Sequence, residues 1–227
     1  MKTVRVPVAA EGIPFIFSAA FITFISALLS YDIAAFFFLA LTAFVLYFFR
    51  DPQRIIPDDH NALVSPADGK VILMEKIFDD RFIREHVYKI SIFMNVFNVH
   101  VNRIPFSGRV NKIIYSPGKF YSADTDKAAL TNEYCALLME TPRNQQIAVV
   151  QVAGLIARRI VCWAEKDDSV TLGHRYGLIR FGSRVDLYLP LNFRPEISLG
   201  QKVSAGETVI GYMPDSEEKN LKIEDRG

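Results

Sequence analysis

The sequence predicts a mostly β, α+β protein in which a barrel-sandwich-like β domain follows an N-terminal two-helix membrane hairpin. Two uncharged, mostly apolar runs, Ile13 to Leu29 and Ile33 to Phe49, stand near the start, separated only by Ser30-Tyr31-Asp32. From Asp58 onward the chain changes to short β-rich stretches punctuated by Gly, Pro, Asn and Asp. Half of the 227 residues are hydrophobic and the mean hydropathy is +0.16, high for a wholly soluble protein, with the excess at the N-terminal end.

Each apolar run is 17 residues by position, the lower limit for a helix that spans a bilayer. No polar face interrupts either run, which favours a membrane hairpin over a pair of buried core helices. A signal peptide fits poorly, because the second run follows at once and no small-residue cleavage site stands between them. Lys2, Arg5, Arg50 and Arg54 flank the outer ends while the turn carries only Asp32. Positive-inside bias therefore puts both ends, and the domain that follows, on the cytoplasmic side of the cell (inner) membrane. A re-entrant or interfacial hairpin stays open at this length. Pro52, in Phe48-Phe49-Arg50-Asp51-Pro52, marks the end of the second helix. The expected organisation is a hairpin and exit segment over 1–57, a β domain over 58–214, and a charge-rich, solvated tail over 215–227.

Within the β domain, strands are expected at Val71 to Phe78, Val87 to Asn95, Arg109 to Tyr115, Tyr134 to Glu140, Gln146 to Ala153 and Arg158 to Ala164. A further strand carries Val185, Leu187 and Leu189 alternating with Arg184, Asp186 and Tyr188, which reads as one buried face. The formal net charge of +1 comes from residues 1–57, and the remainder balances at 22 basic and 22 acidic residues. So neutral a body offers no electrostatic footprint for nucleic acid. Cys135 and Cys162 lack a CxxC spacing and sit in apolar surroundings, the pattern of buried free thiols. No HxxxH, HxH or Cys/His cluster has metal-ligand spacing, so no metal is expected.

The chemistry converges on Gly182-Ser183, where the last of these strands begins. Glycine admits backbone angles closed to other residues, so the Gly182 carbonyl can turn toward the Ser183 hydroxyl, as an N-to-O acyl shift requires. Elimination from the resulting ester would leave dehydroalanine and then a pyruvoyl group. A Gly-Ser step by itself is equally the mark of a glycine bulge in an ordinary strand. His100, in Asn98-Val99-His100-Val101-Asn102-Arg103, is the natural general base, because its unperturbed pKa lies near working pH.

Residues 179–190, IRFGSRVDLYLP, resemble the self-cleavage segment of the phosphatidylserine decarboxylases, and the chain resembles their short bacterial and archaeal type. Further blocks follow in that family's order: FFRDPQRIIP at 48–57, LVSPADGKV at 63–71, NVHVNRIP at 98–105, YSPGKFYSA at 115–123, NEY at 132–134 and VAGLIARRIVCW at 152–163. The resemblance implies that Ser183 becomes a covalent pyruvoyl group. One precursor would yield a large chain, 1–182, and a small chain, 183–227. Phosphatidylserine would be decarboxylated through a Schiff base to phosphatidylethanolamine in phospholipid biosynthesis. The implied partners are the phospholipid and the membrane, and a homo-oligomer is compatible with it. Asp68, in the PADG motif, is implied as the acid that orients histidine. The longer members carry a second histidine where this chain has Arg103, and the family's Asn-Glu-Arg block, which Glu133 matches, has an arginine where this chain has Tyr134. Lys119, Glu133, Arg158 and Arg159 are the substrate-binding candidates. Two other readings stay open: decarboxylation of another serine lipid such as an archaetidylserine, and a non-catalytic lipoyl- or biotinyl-like adaptor or carrier. The carrier reading rests on the turn glycines of Gly200 to Gly211, with Ala67 to Val71 as a partner turn. Lys70 and Lys202 lie beside those glycines but without the sequence context of a modified lysine.

Overall fold

The computed structural model describes residues 7–123, 131–155, 159–180 and 182–214. The Arg158 and Phe181 positions and the tail at 215–227 lie outside the described residues.

The hairpin forms close to its expected bounds. A short 3-10 turn, Ala10–Gly12, leads into α1, Ile13–Leu28, and α2 follows as Asp32–Phe48. Pro14 stands in the first turn of α1, where its missing N–H leaves no bond unmade. Ser30 turns the chain with φ of +59°, and the helices pack on each other with Thr23 Oγ1 and Thr42 Oγ1 3.3 Å apart. Each hydroxyl also bonds the carbonyl four residues back, so neither is an unsatisfied polar group in an apolar setting. Phe17, Ile33 and Phe36 point outward, leaving both helices with large exposed apolar surfaces. Ala10–Leu28, at 19 residues, is long and apolar enough to cross a membrane.

Backbone pairing closes the base of the hairpin. Ala9 N–H donates to the Phe49 carbonyl and Asp51 N–H to the Pro7 carbonyl, tying the chain before α1 to the chain after α2. Gly12 is required there, because a Cβ would overlap the Phe49 ring. Ala9, Phe48 and Phe49 then pack with Val99, Val101 and Leu178 as a separate apolar cluster, so the hairpin is seated in the β domain rather than strung from it.

The strands, in chain order, are β1 Ala62–Val64, β2 Gly69–Phe78, β3 His86–Met94, β4 Val101–Arg103, β5 Gly108–Ser116, β6 Tyr134–Glu140 and β7 Gln146–Ala153. They continue with β8 Ile160–Cys162, β9 Ser169–Val170, β10 Arg175–Ile179, β11 Ser183–Pro190, β12 Arg194–Pro195, β13 Lys202–Val203 and β14 Val209–Tyr212. Among the described residues they form an eight-stranded antiparallel sheet in the order β13-β2-β3-β11-β7-β6-β5-β9 and two three-stranded sheets, β4-β10-β8 and β1-β14-β12. The mostly β class is as expected, and β6 and β7 have the expected bounds. The Ala67 to Val71 turn does pair with the C-terminal segment, through Lys70 opposite Lys202 and Gly69 opposite Val203.

One expectation is corrected. The strand after Gly182 was expected to bury one face, but in β11 every residue from Ser183 to Leu189 is buried. β11 lies between β3 and β7, and both sheet faces are covered. Val185, Leu187 and Leu189 enter the main core, while Phe82, Val87, Val150 and Tyr188 build a second cluster. Arg184 and Asp186 are therefore buried together, with Arg184 Nε 2.6 Å from Asp186 Oδ1. A buried pair of this kind is sustained by mutual hydrogen bonding, and Arg184 holds both carboxylate oxygens.

The two cysteines are free thiols, Cys135 buried and Cys162 half-buried. The neighbouring Cys162 thiol, together with burial, pushes the Cys135 thiol upward.

Candidate active site

Ser183 opens β11 opposite Met94 of β3 and Ala153 of β7, so its backbone is held from both sides. Its side chain has 0% exposure, and its Oγ has no hydrogen-bond partner among the described residues. A buried hydroxyl without a partner costs free energy, which packing in the two ladders must offset. Immediately before it, Gly182 has φ of +61°, the left-handed region that favours glycine.

His100 stands against this peptide. Its Nδ1 lies 3.0 Å from the Asn98 carbonyl, and the Gly182 N–H donates to its Nε2 at 3.3 Å. A carbonyl can only accept and an N–H can only donate, so the ring carries its proton on Nδ1 and presents a lone pair at Nε2. Its ring lies 4.4 Å from that of Phe48, the last residue of α2, at an interplanar angle of 32°. Both side chains are 1% exposed. Burial, reinforced by the positive charge of Arg50 and only partly countered by the Asn98 carbonyl, lowers the His100 pKa to about 4. The imidazole is thus a neutral base one peptide away from the Ser183 hydroxyl.

The other wall of the site is the loop at residues 117–123. Asn132 Nδ2 donates to the carbonyls of Tyr121 and Ala153, while its Oδ1 accepts from the Tyr121 N–H. Arg184 Nη1 reaches the Ala123 carbonyl at 3.5 Å. Beneath the loop, Gly154 touches the Gly182 peptide so closely that a Cβ there would overlap the Gly182 carbonyl oxygen. Gly182, by contrast, has open space around its Cα. We therefore expect Gly154→Ala to slow cleavage at least tenfold and to lower the melting temperature by several degrees. Gly182→Ala should cost only about 1 kcal/mol of left-handed strain. A time course of fragment appearance on denaturing gels, run beside thermal melts, checks both. Cleavage of the Gly154→Ala protein at the wild-type rate would refute the close approach.

Comparison with known proteins shows the family. The family model described as phosphatidylserine decarboxylase matches residues 41–211. A phosphatidylserine decarboxylase proenzyme from Desulfotalea psychrophila is 60% identical over 209 residues, covering 92% of this chain and 98% of that protein. Proenzymes of the same name from Geotalea uraniireducens and Geobacter sulfurreducens are 52% and 50% identical, each covering 94% of this chain and 100% of the relative. The chain belongs to the phosphatidylserine decarboxylase family.

Against the family's expected residues, the structure gathers Gly182, Ser183 and His100 and arranges the rest differently. Asp68 was expected to orient the histidine, but the Asn98 carbonyl occupies that place. Asp68 instead receives two bonds from Arg54 Nη2, at 2.9 and 2.8 Å, and one from the Ala205 N–H at 2.7 Å. Arg54 also reaches Glu207 at 2.9 Å, so this network ties the exit segment of the hairpin to the C-terminal strands. Arg103, where longer members of the phosphatidylserine decarboxylases have their second histidine, bonds Asp51 at 3.1 Å and the carbonyls of Pro52 and Gly173. Asp51 in turn pairs with Arg175.

Lys119 and Arg159 are exposed, and Arg158 lies outside the described residues. The neighbouring Glu133 carboxylate pushes the Tyr115 hydroxyl up to about 12. His174 is on an exposed turn, lining with His60 a cleft that neither Ser183 nor His100 lines. Lys70 and Lys202 face each other across a ladder rather than occupying a hairpin tip, which speaks against the carrier reading. Sequence reasoning missed Phe48, Asn132 and Gly154. Each lies in one of the family blocks, but nothing local distinguished it from its neighbours.

Proposed function

We propose that this protein is made as a proenzyme that cuts itself between Gly182 and Ser183 and then decarboxylates phosphatidylserine to phosphatidylethanolamine at the membrane surface. The observation that carries this reading is the buried, unpartnered Ser183 hydroxyl next to a peptide whose N–H is held by a neutral histidine.

In the cleavage step, Ser183 Oγ attacks the Gly182 carbonyl carbon and the C–N bond breaks, leaving an ester and a free amine. His100 moves its Nε2 lone pair from the Gly182 N–H to the reacting serine, takes the hydroxyl proton, hands it to the departing amine nitrogen, and, neutral again, later takes the Cα proton. Loss of that Cα proton expels residues 1–182 as a carboxylate, and one water then releases ammonia. The site fits the group this produces, since a hydroxyl at the start of a buried strand becomes a chain terminus held by β3 and β7. The pyruvoyl group would supply a ketone for the lipid amine and a sink for the electrons that carbon dioxide leaves behind.

The chain's own residues do the rest. Phe48 and the loop at 117–123 exclude water, and His100 returns a proton to the substrate Cα. Asp68, through Arg54 and Ala205, keeps the hairpin exit in register with the β domain. The hairpin keeps the site beside the lipid headgroups, on the cytoplasmic face of the inner membrane, and so raises the effective concentration of a substrate that cannot leave the bilayer.

Intact mass under denaturing conditions tests the proposal. We expect two fragments corresponding to 1–182 and 183–227, the smaller without a free amino terminus, together with carbon dioxide release from phosphatidylserine vesicles. A single unbroken chain that nonetheless releases carbon dioxide would overturn it.

A further inference from the structure

Arg180 lies two residues before the scissile peptide and departs from the other arginines around the site. Arg54, Arg103, Arg175 and Arg184 all pair with carboxylates, and Arg50 donates to the Tyr47 and Phe97 carbonyls. The Arg180 guanidinium has no carboxylate or carbonyl partner among the described residues, and its Nε is buried without an acceptor. The guanidinium carbon instead sits 5.1 Å from the centroid of the Phe15 ring in α1. Phe15 stacks on Phe49 at 5.7 Å, Phe49 meets Phe48 edge-on at 5.0 Å, and Phe48 covers His100. One aromatic cluster thus joins the cation to the histidine and places the cation at the foot of the hairpin. With α1 and α2 in a bilayer, that is the level of the lipid phosphates.

Resting on the functional reading above, we propose that Arg180 is the receptor for the phosphodiester of the serine lipid. A half-buried guanidinium backed by an aromatic face and lacking an internal counter-ion is a preorganised anion site, and its planar fork matches two phosphate oxygens. The substrate offers a second anion, the carboxylate, but the chemistry argues against pairing it with Arg180. Its charge departs in the transition state, so a cation holding it would stabilise the ground state more than the transition state. The phosphodiester keeps its charge from substrate to product. Binding it is uniform along the reaction and appears in KM rather than kcat.

The test uses full-length protein in detergent micelles containing phosphatidylserine, with processing checked by mass so that kinetics refer to the cleaved form. For Arg180→Gln we expect KM to rise about 10- to 100-fold with kcat within threefold of wild type, and for Arg180→Lys an intermediate rise. Glycerophosphoethanolamine has the phosphodiester and the amine but no carboxylate. Its inhibition constant should rise by the same factor as KM. A raised KM with an unmoved inhibition constant would assign Arg180 to the carboxylate and overturn the proposal, as would unchanged KM in both variants. Should Arg180→Gln fail to fold, Arg180→Lys and Phe15→Leu, which removes the ring beneath the cation, decide by the same two constants. A wild-type chain that releases no carbon dioxide would overturn the functional reading and this inference with it. Active wild type with indifferent variants would remove Arg180 alone.

Discussion

Replacing Ser183 by alanine should leave one uncut chain of about 25.7 kDa, with carbon dioxide release from phosphatidylserine lost by at least about ten-thousandfold. The substitution removes a single oxygen that makes no hydrogen bond among the described residues and leaves no partner behind. Stability should therefore change by less than about 1 kcal/mol, or improve slightly, since a buried unpaired hydroxyl is a cost to the fold. A folded, inert, uncut variant would tie the loss to chemistry rather than to packing. Denaturing mass spectrometry and a thermal melt, taken together, decide the matter. Two fragments persisting in the alanine variant would move the cleavage site elsewhere.

The second large effect is at His100. His100→Gln keeps a hydrogen-bonding side chain of similar reach but removes the base, and should slow cleavage by about a hundred- to ten-thousandfold. Turnover in whatever fraction is cleaved should fall similarly. Stability gives an independent reading. The folded-state pKa of about 4 lies below the ordinary histidine value of about 6.5, so between these limits the unfolded chain binds more protons than the folded one. Stability is then fully present above about pH 6.5 and is lost as pH falls toward about 4, by roughly 3 kcal/mol in all. The glutamine variant should lack that slope. Denaturant melts of wild type and variant at several pH values make the comparison. Parallel curves would refute a buried, neutral imidazole, whatever the cleavage rates show.

Much of the architecture was legible because it is local. An unbroken apolar run needs only its own residues to become a helix, so the expected runs and the observed α1 and α2 differ by no more than one residue at each end. Tyr134–Glu140 and Gln146–Ala153 were legible as strands because turn residues bound each β-rich stretch. The Gly182-Ser183 step could be read as a candidate site only through the resemblance of residues 179–190 to the family's self-cleavage segment, since a Gly-Ser step alone equally marks a glycine bulge. The pairing of the charged groups was not legible. Asp68 was assigned to His100 and is held by Arg54, and Arg184 with Asp186 was placed on an open face that is in fact covered.

His100, Asp68 and Arg103 occur within 36 positions of one another, yet their partners come from the hairpin exit, the Asn98 carbonyl, the turn at Gly173 and the C-terminal strands. The amino-acid order alone determined the kind of elements and the apolar hairpin. The tertiary structure alone decided that Phe48 desolvates the histidine, that Gly154 makes room for the Gly182 carbonyl, and that Arg180 is left without an internal counter-ion among the described residues. Helix and strand propensities are settled by neighbours along the chain, whereas burial and charge pairing depend on segments brought together only when the sheets and the hairpin close on each other.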